Sequence, residues 1–542
     1  MSLLALAKAD VLERVRRPGY LVTLACMVYA AHLFLPPNHS RYATVRVGEW
    51  RGAYDSHWVG IVVAVMTSVF LGFAGFYLVK DSVERDRRTG VGAVVAASRL
   101  STARYLFAKF LSNLAVLASM LAVMAVAAAI VQWVRAEDRH IDPAAIAAPL
   151  LVLALPMMAL TAATAVVFES IPALRGGFGN VVFFFLWIAA LAQGALSGRA
   201  WATDPSGTSA AIESVTRSAR ASGLPVGEDR VAVGFVVKEK GNFDLTTFPY
   251  TGVTWTPALI ASRLAWLLLA CGMPLVAARW FDRFDSAPLP PASWRRRPGR
   301  QGSVAGPDGS DAADTITRPK AALPIHIADL ARPERGRGLL PLLRAELAIQ
   351  LRGRSRGWWL VAVGLAIASI LVPAGAARGV VHGLAWIWPL FLWSSMGARE
   401  RRFGTTDLLF STPRPIGRQL ASVWIVGVVV AGAAAFGVPL RALMEGDGAA
   451  AAAWLGGACF VSSLALACGV WTGTGKLFEV LYLLLWYAGP INQAPPLDYG
   501  GFTAAGLALG VPFYFAAGGM ILLALATIGR HRQIHGDRRA AV

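Results

Sequence analysis

The sequence predicts an all-α polytopic membrane protein of about twelve transmembrane helices, built as two parallel six-helix repeats. Three observations carry that expectation. Apolar runs of roughly 18 residues or more recur from Gly19 to Ile528, each long enough to cross a hydrocarbon core of ~30 Å as a helix. Of the 542 residues, 56% are hydrophobic and only 15% charged, with a mean hydropathy of +0.53, too apolar for a soluble domain of this size. The segments on either side of a polar central stretch also open alike and repeat a motif at the same topological position.

Taken in order, spans are expected near 19–35, 58–79, 105–134, 144–168, 180–197 and 257–280 in the first half. In the second half they fall near 357–375, 380–397, 419–440, 449–471, 477–489 and 503–529. This divides the chain into a first half over 1–285, a flexible cytoplasmic linker over 286–338 and a second half over 339–542. The linker is rich in Pro, Gly, Arg and Asp and cannot bury enough apolar surface to fold alone. A larger outside loop, 198–256, separates the fifth and sixth spans, with a polar first half and a β-prone end.

Lys and Arg fix the orientation. With the N-terminus inside, the inward segments hold far more of the 51 Lys/Arg than the outward ones, so both termini of this multi-pass chain are expected in the cytoplasm; Ala/Arg-rich usage, with the family resemblance described below, implies the inner membrane. The net charge of +19 is dispersed over short loops and forms no aromatic-interleaved module, so nucleic acid is not expected as a partner. Cys26, Cys271, Cys459 and Cys468 all fall in apolar runs, where a free thiol behaves as a small hydrophobe, and no disulfide framework or metal cluster is implied.

Each half begins with a short amphipathic helix, "LAKADVLERVRRPGYLV" from Leu6 and "LLRAELAIQLRGRSRGWWLV" from Leu342. Leu4, Val11, Leu12 and Val15 share one face of the first, a pattern suited to the headgroup layer. Between the second and third spans of each half lies a longer loop. "ERDRRTGVGAVVAASRLSTARYL" runs from Glu84 to Leu106, and "ERRFGTTDLLFSTPRPIGRQL" from Glu400 to Leu420. Glu84 with Arg85 approximately matches Glu400 with Arg401, while Arg99 and Arg104 match Arg414 and Arg418 with an indel of one residue. The middle of each loop reads as a short helix offering apolar side chains, among them Leu408, Leu409 and Phe410, to a soluble partner.

At these loops the chain resembles the permease superfamily of type-2 ATP-binding-cassette (ABC-2) transporters, in a full-length form with both six-helix halves fused. The family carries an elbow helix, six spans and an "E-R-x-x-G-T-x-x-x-L-L-x-T-P" type segment after the second span. The copy from Glu400 matches it well; the copy from Glu84 keeps the charged cluster and Thr89–Gly90 but has Ala97–Ser98 in place of Thr–Pro. The resemblance implies an exporter whose two ATPase copies are separate polypeptides docking on the two loops, with ATP and magnesium held by the partner and no cofactor or metal in this chain. Arg99, Arg104, Arg414 and Arg418 are then candidates for the docking surface, with Glu84 and Glu400 bracing it. The nearest phosphate-loop match, "VWTGTGKL" from Val470, has Val where Gly is required and Leu477 where Ser or Thr must reach the metal, so the chain is expected to be no enzyme.

By the same resemblance the transported compound contacts the second and fifth spans of each half. Their aromatic residues are Phe70, Phe73, Phe76 and Tyr77; Phe183, Phe184, Phe185 and Trp187; Trp386, Phe391 and Trp393; and Tyr482, Trp486 and Tyr487. With almost no charge in the spans, such a path favours a hydrophobic or amphipathic cargo, and the same rings also suit lipid contact. Lys109, Arg263 and Glu479 lie near span ends and are expected to snorkel, while His32, His57 and His382 are expected at membrane edges. Two other classes stay open. A secondary transporter of the major-facilitator type shares the twelve-span parallel plan, although its loops after span 2 are short and its coupling needs ionisable groups deep in the membrane. A membrane-embedded enzyme would need a metal-ligand spacing or paired carboxylates in a span, and neither is present in the sequence.

Overall fold

The computed structural model describes residues 3–135, 137–196, 203–224, 231–238, 241–284, 339–352, 354, 356–372, 381–412 and 414–540. The expected linker 286–338 and the first residues of the outside loop lie outside that set. The chain falls into two compact units, Met1–Phe284 with Glu479–Leu484, and Asp285–Phe478 with Leu485–Val542.

In the first unit, helix α1 (Leu3–Val15) precedes the first apolar helix, α2 (Pro18–Phe34), which starts on a proline whose missing N–H costs nothing at that position. A short hairpin, β1 (Tyr42–Val47) and β2 (Trp50–Gly52), leads to α3 (Ser56–Val79), capped by the Asp55 side chain, which accepts from the Trp58 N–H at 2.7 Å. Two short helices, α4 (Ser82–Arg88) and α5 (Val91–Ala97), form the loop to α6 (Thr102–Arg135). The fourth apolar helix is drawn in two pieces, α7 (Pro143–Pro149) and α8 (Leu155–Ser170), joined by a π-turn over Leu150–Ala154. After α9 (Gly177–Leu196) come α10 (Thr208–Ala221), β3 (Val231–Val237) and β4 (Thr246–Phe248), then α11 (Pro257–Ala277).

The four strands make one small sheet in the order β3-β1-β2-β4, joining the loop after α2 to the loop before α11. The β-prone end of the outside loop is therefore strand, as expected, and its first half contains α10. The β1–β2 hairpin was not foreseen: two residues of turn, with Gly48 at φ +59°, connect its strands. Gly52 lets the ring of Trp58 lie against the backbone, since a Cβ there would come within 2.3 Å of the indole. The sheet is pinned to the end of α6 by Arg51, which pairs with Glu137 and hydrogen-bonds Asn38.

The second unit begins with α12 (Leu340–Leu351) and α13 (Arg356–Leu371). The span expected over 380–397 is not one helix. It is α14 (His382–Ile387) and α15 (Leu390–Trp393), separated at Pro389, whose ring and missing N–H break the ladder. Then follow α16 (Arg399–Arg402), α17 (Thr406–Phe410), a π-turn Pro415–Leu420 running into α18 (Ala421–Ala435), α19 (Gly437–Met444) and α20 (Gly448–Thr472). The expected eleventh span is only α21 (Lys476–Trp486), which passes into a π-turn at Tyr487–Ile491. The expected twelfth is α22 (Ala504–Ala508), then α23 (Val511–Ala540).

Among the described residues, seven helices are long and apolar enough to cross a membrane, and three shorter apolar helices, Gly19–Phe34, Gly177–Gln193 and Arg356–Leu371, accompany them. This is a multi-pass, predominantly helical membrane protein.

Candidate functional site

The loop after α3 is organised by carboxylates that face inward. Helix α4 opens with four backbone N–H groups that no intrahelical carbonyl can satisfy. Glu169, at the end of α8, takes all of them: its two oxygens accept from the N–H of Asp81 (2.7 Å), Ser82 (3.1 Å), Val83 (2.6 Å) and Glu84 (3.1 Å). One turn on, Asp86 accepts from the Tyr105 hydroxyl at 2.8 Å and pairs with Lys109 Nζ at 2.9 Å. Lys109 also lies 2.9 Å from Asp10 on α1, and Asp10 in turn pairs with Arg14 and Arg85 and accepts from Ser112 at 2.5 Å. The loop is thus fastened to the amphipathic helix, to the start of α6 and to the end of α8.

This arrangement turns α1 the other way from an ordinary amphipathic helix. Its buried face carries Ala7 and Asp10, while Leu4, 72% exposed, and Leu12 and Val15 point away from the unit. Those apolar side chains are free to enter the lipid headgroup layer. Burial by itself would raise the Asp10 carboxyl, but Arg14, Lys109, the Ser112 hydroxyl and Arg85 outweigh it and bring its pKa down to about 2.

Helix α5 is held from its other side by the segment after α11. Arg283 donates to the carbonyls of Ser98 and Leu100, both at 2.8 Å, and Phe284 packs under Gly92, where a Cβ would approach its ring to 2.6 Å. Val91 and Val94 face outward, Val94 with 70% of its surface exposed, and Arg99 and Arg104 are exposed beside them.

The loop of the second unit is also fastened by buried carboxylates. On α12 the buried residues are Glu346 and Gln350, and Leu340 and Ile349 point outward. Glu346 pairs with Arg399 and accepts from Gln350 at 3.1 Å. Glu400 is buried; it accepts from Gln419 at 2.7 Å and pairs with Arg530 of α23 at 3.4 Å. The Arg530 guanidinium also lies 5.4 Å from the centre of the Phe410 ring. Phe403 and Leu408 are 67% and 73% exposed, Arg401 and Arg414 are exposed, and Leu409, Phe410 and Arg418 are half-buried.

The two loops correspond at one constant spacing. Asp86 reaches a residue 19 positions on, Tyr105, and Glu400 likewise reaches Gln419, 19 positions on. In that register Arg85 falls opposite Arg399, Arg104 opposite Arg418, and the exposed Val94 opposite the exposed Leu408. Gly90 and Gly404 also coincide, both left-handed at φ +78° and +65°. In this register Glu84 falls opposite Ala398, two residues from the Glu400 it was matched with in the sequence. Glu84 is half-exposed and pairs with Arg87 at 3.9 Å, whereas the buried carboxylate that braces the first loop is Asp86.

Compared with known proteins, the sequence matches no protein-family model and no curated relative.

Two expectations about polar groups in the spans are corrected by burial. Lys109 does not snorkel; its side chain is 3% exposed between two carboxylates. Arg263 is likewise buried within α11. His382, expected at a membrane edge, is 1% exposed within the protein, its ring 4.4 Å from that of Phe502. Asp10, Asp86, Glu169, Glu346 and Arg530 were all missed by sequence reasoning; Lys8-Ala9-Asp10 and Arg344-Ala345-Glu346, which place a basic residue two before an acidic one at the start of each half, were the signal that could have found two of them.

The aromatic residues of the second and fifth spans pack on one another. In the first unit Phe76 stacks on Phe183 with centroids 3.7 Å apart, Phe73 lies 4.8 Å from Trp187 and 5.6 Å from Phe184, and Trp187 donates to the Val69 carbonyl at 3.0 Å. Tyr77 donates to the Asn180 carbonyl, and Phe70 meets Phe34 and Phe235. Phe185 is exposed on the opposite face of α9. In the second unit Trp386 and Trp393 are 6.1 Å apart; Trp393 donates to the Gly427 carbonyl and Trp486 to that of Gly383. Tyr482 is buried, whereas Phe391 and Tyr487 are half-buried.

Proposed function

We propose that the chain is the membrane-spanning permease of an exporter driven by separate ATP-binding-cassette ATPases, of the ABC-2 type, with two six-helix repeats in one polypeptide. The observation that carries this reading is the paired construction of the loops: each is wired by buried ion pairs and hydrogen bonds into its amphipathic helix and the helix that follows it, while an apolar and basic outer face stays open. A rigid handle of that kind suits the transmission of force from a soluble motor. The matched register from Arg85 to Tyr105 and from Arg399 to Gln419 supports the internal repeat. On this reading about twelve segments enter the inner membrane, both termini are cytoplasmic, and two ATPase copies bring ATP and magnesium. The chain itself hydrolyses nothing, and the cargo is apolar or amphipathic, taken up when the packed aromatic seams of the second and fifth spans part.

The test is substitution of the open face. Phe403→Glu with Leu408→Glu, and separately Val94→Glu, are expected to abolish co-purification of an ATP-hydrolysing subunit while leaving membrane insertion intact. Unchanged co-purification overturns the docking assignment. The buried Asp10–Lys109–Asp86 cluster favours one second reading, an ion-coupled transporter, because proton-coupled carriers keep such groups. Collapse of transport by a protonophore at constant ATP would favour that reading over the first.

A further inference from the structure

We propose that the groove between α2 and α6 is a binding site for an anionic phospholipid, with one acyl chain along α6 and the phosphate at Arg135. The groove has a volume of about 560 Å³, and its walls include Val28, Val123, Val126 and Ile130. Its lining on α6 runs from Ala122 to Arg135, about 20 Å at the helical rise per residue, which exceeds the ~15 Å hydrocarbon depth of one leaflet. Only one end is polar. There His32 and Arg135 stand near the ends of their helices, where a chain crossing the membrane meets the headgroups. Arg135 is held in place by two hydrogen bonds to the Leu35 carbonyl, at 3.0 and 2.7 Å, and among the described residues no carboxylate lies within 4.0 Å of it. The nearest candidate in sequence, Glu137, is engaged by Arg51. A fixed cation with no carboxylate beside it among the described residues, at the mouth of an apolar groove, favours a headgroup of net negative charge over one whose phosphate is already balanced by its own ammonium.

This inference does not depend on what drives transport. Its test is native mass spectrometry of the full chain released from vesicles containing equal phosphatidylglycerol and phosphatidylethanolamine. The wild type is expected to retain the anionic lipid about fivefold over the other, the ratio given by roughly 1 kcal/mol for one cation near the headgroup plane. Arg135→Gln is expected to equalise the two. Val126→Trp, at an exposed position, is expected to lower retention of both with an unchanged thermal unfolding midpoint. Equal retention by the wild type overturns the proposal, as does a preference that survives Arg135→Gln or lipid retention unaffected by Val126→Trp.

Discussion

Lys109 lies between Asp10 and Asp86 with both carboxylates 2.9 Å away, and removing either leaves a buried charge short of a partner. Asp86→Asn is therefore expected to destabilise the first unit by roughly 3 kcal/mol, whereas Glu84→Gln, half-exposed, should change stability by less than about 0.5 kcal/mol. Denaturant unfolding of both variants in the same detergent measures the difference. Asp10 adds a pH dependence whose sign follows from its depressed pKa of about 2. The folded state binds this proton less readily than the unfolded chain, so the contribution is present above the ordinary carboxylate pKa of about 4 and is lost as pH falls from there towards 2. A spin label at Leu4 should report a docked α1 across neutral and mildly acidic pH and release only in that lower window. None of this was legible in the string "ERDRR", where two carboxylates and three arginines stand equivalent. Which one faces inward depends on Asp10 and Tyr105, far along the chain, and on the turn of α4 that Glu169 fixes.

At the scale of elements, the loop helices are held by contacts that sequence periodicity does not register. Glu169→Gln keeps the shape of the cap but removes its charge, and is expected to speed amide exchange at Asp81–Glu84 by about tenfold for each 1.4 kcal/mol lost. Gly92→Ala would force a Cβ against Phe284 and is expected to raise exchange through α5 as well, while Gly176→Ala, with open space around it, should not. Long apolar helices such as α3, α6 and α20 were readable because hydropathy alone defines them. The span over 380–397 was misread for the same reason: "AWIWPLFLW" is apolar throughout, and Pro389 breaks it without changing its hydropathy. The hairpin of β1 and β2 escaped because six and three residues are too few for a periodic signal, and their pairing partners β3 and β4 lie on another loop.

At the scale of the whole molecule, each of the two loops presents one strongly exposed aliphatic side chain, Val94 in the first and Leu408 in the second. Two candidate loops could be picked out in the sequence; the residues that fasten them could not, since the Lys109–Asp10 ion pair between α1 and α6 spans 99 positions. The account rests on those loops being grips for an external motor. Native mass spectrometry with coupled ATP hydrolysis, on the complex purified from its own membranes, tests this most directly. Two copies of an ATP-hydrolysing subunit per chain, both lost on Val94→Glu combined with Leu408→Glu, is the predicted result. A chain that purifies without any such subunit from membranes where it is active would contradict it.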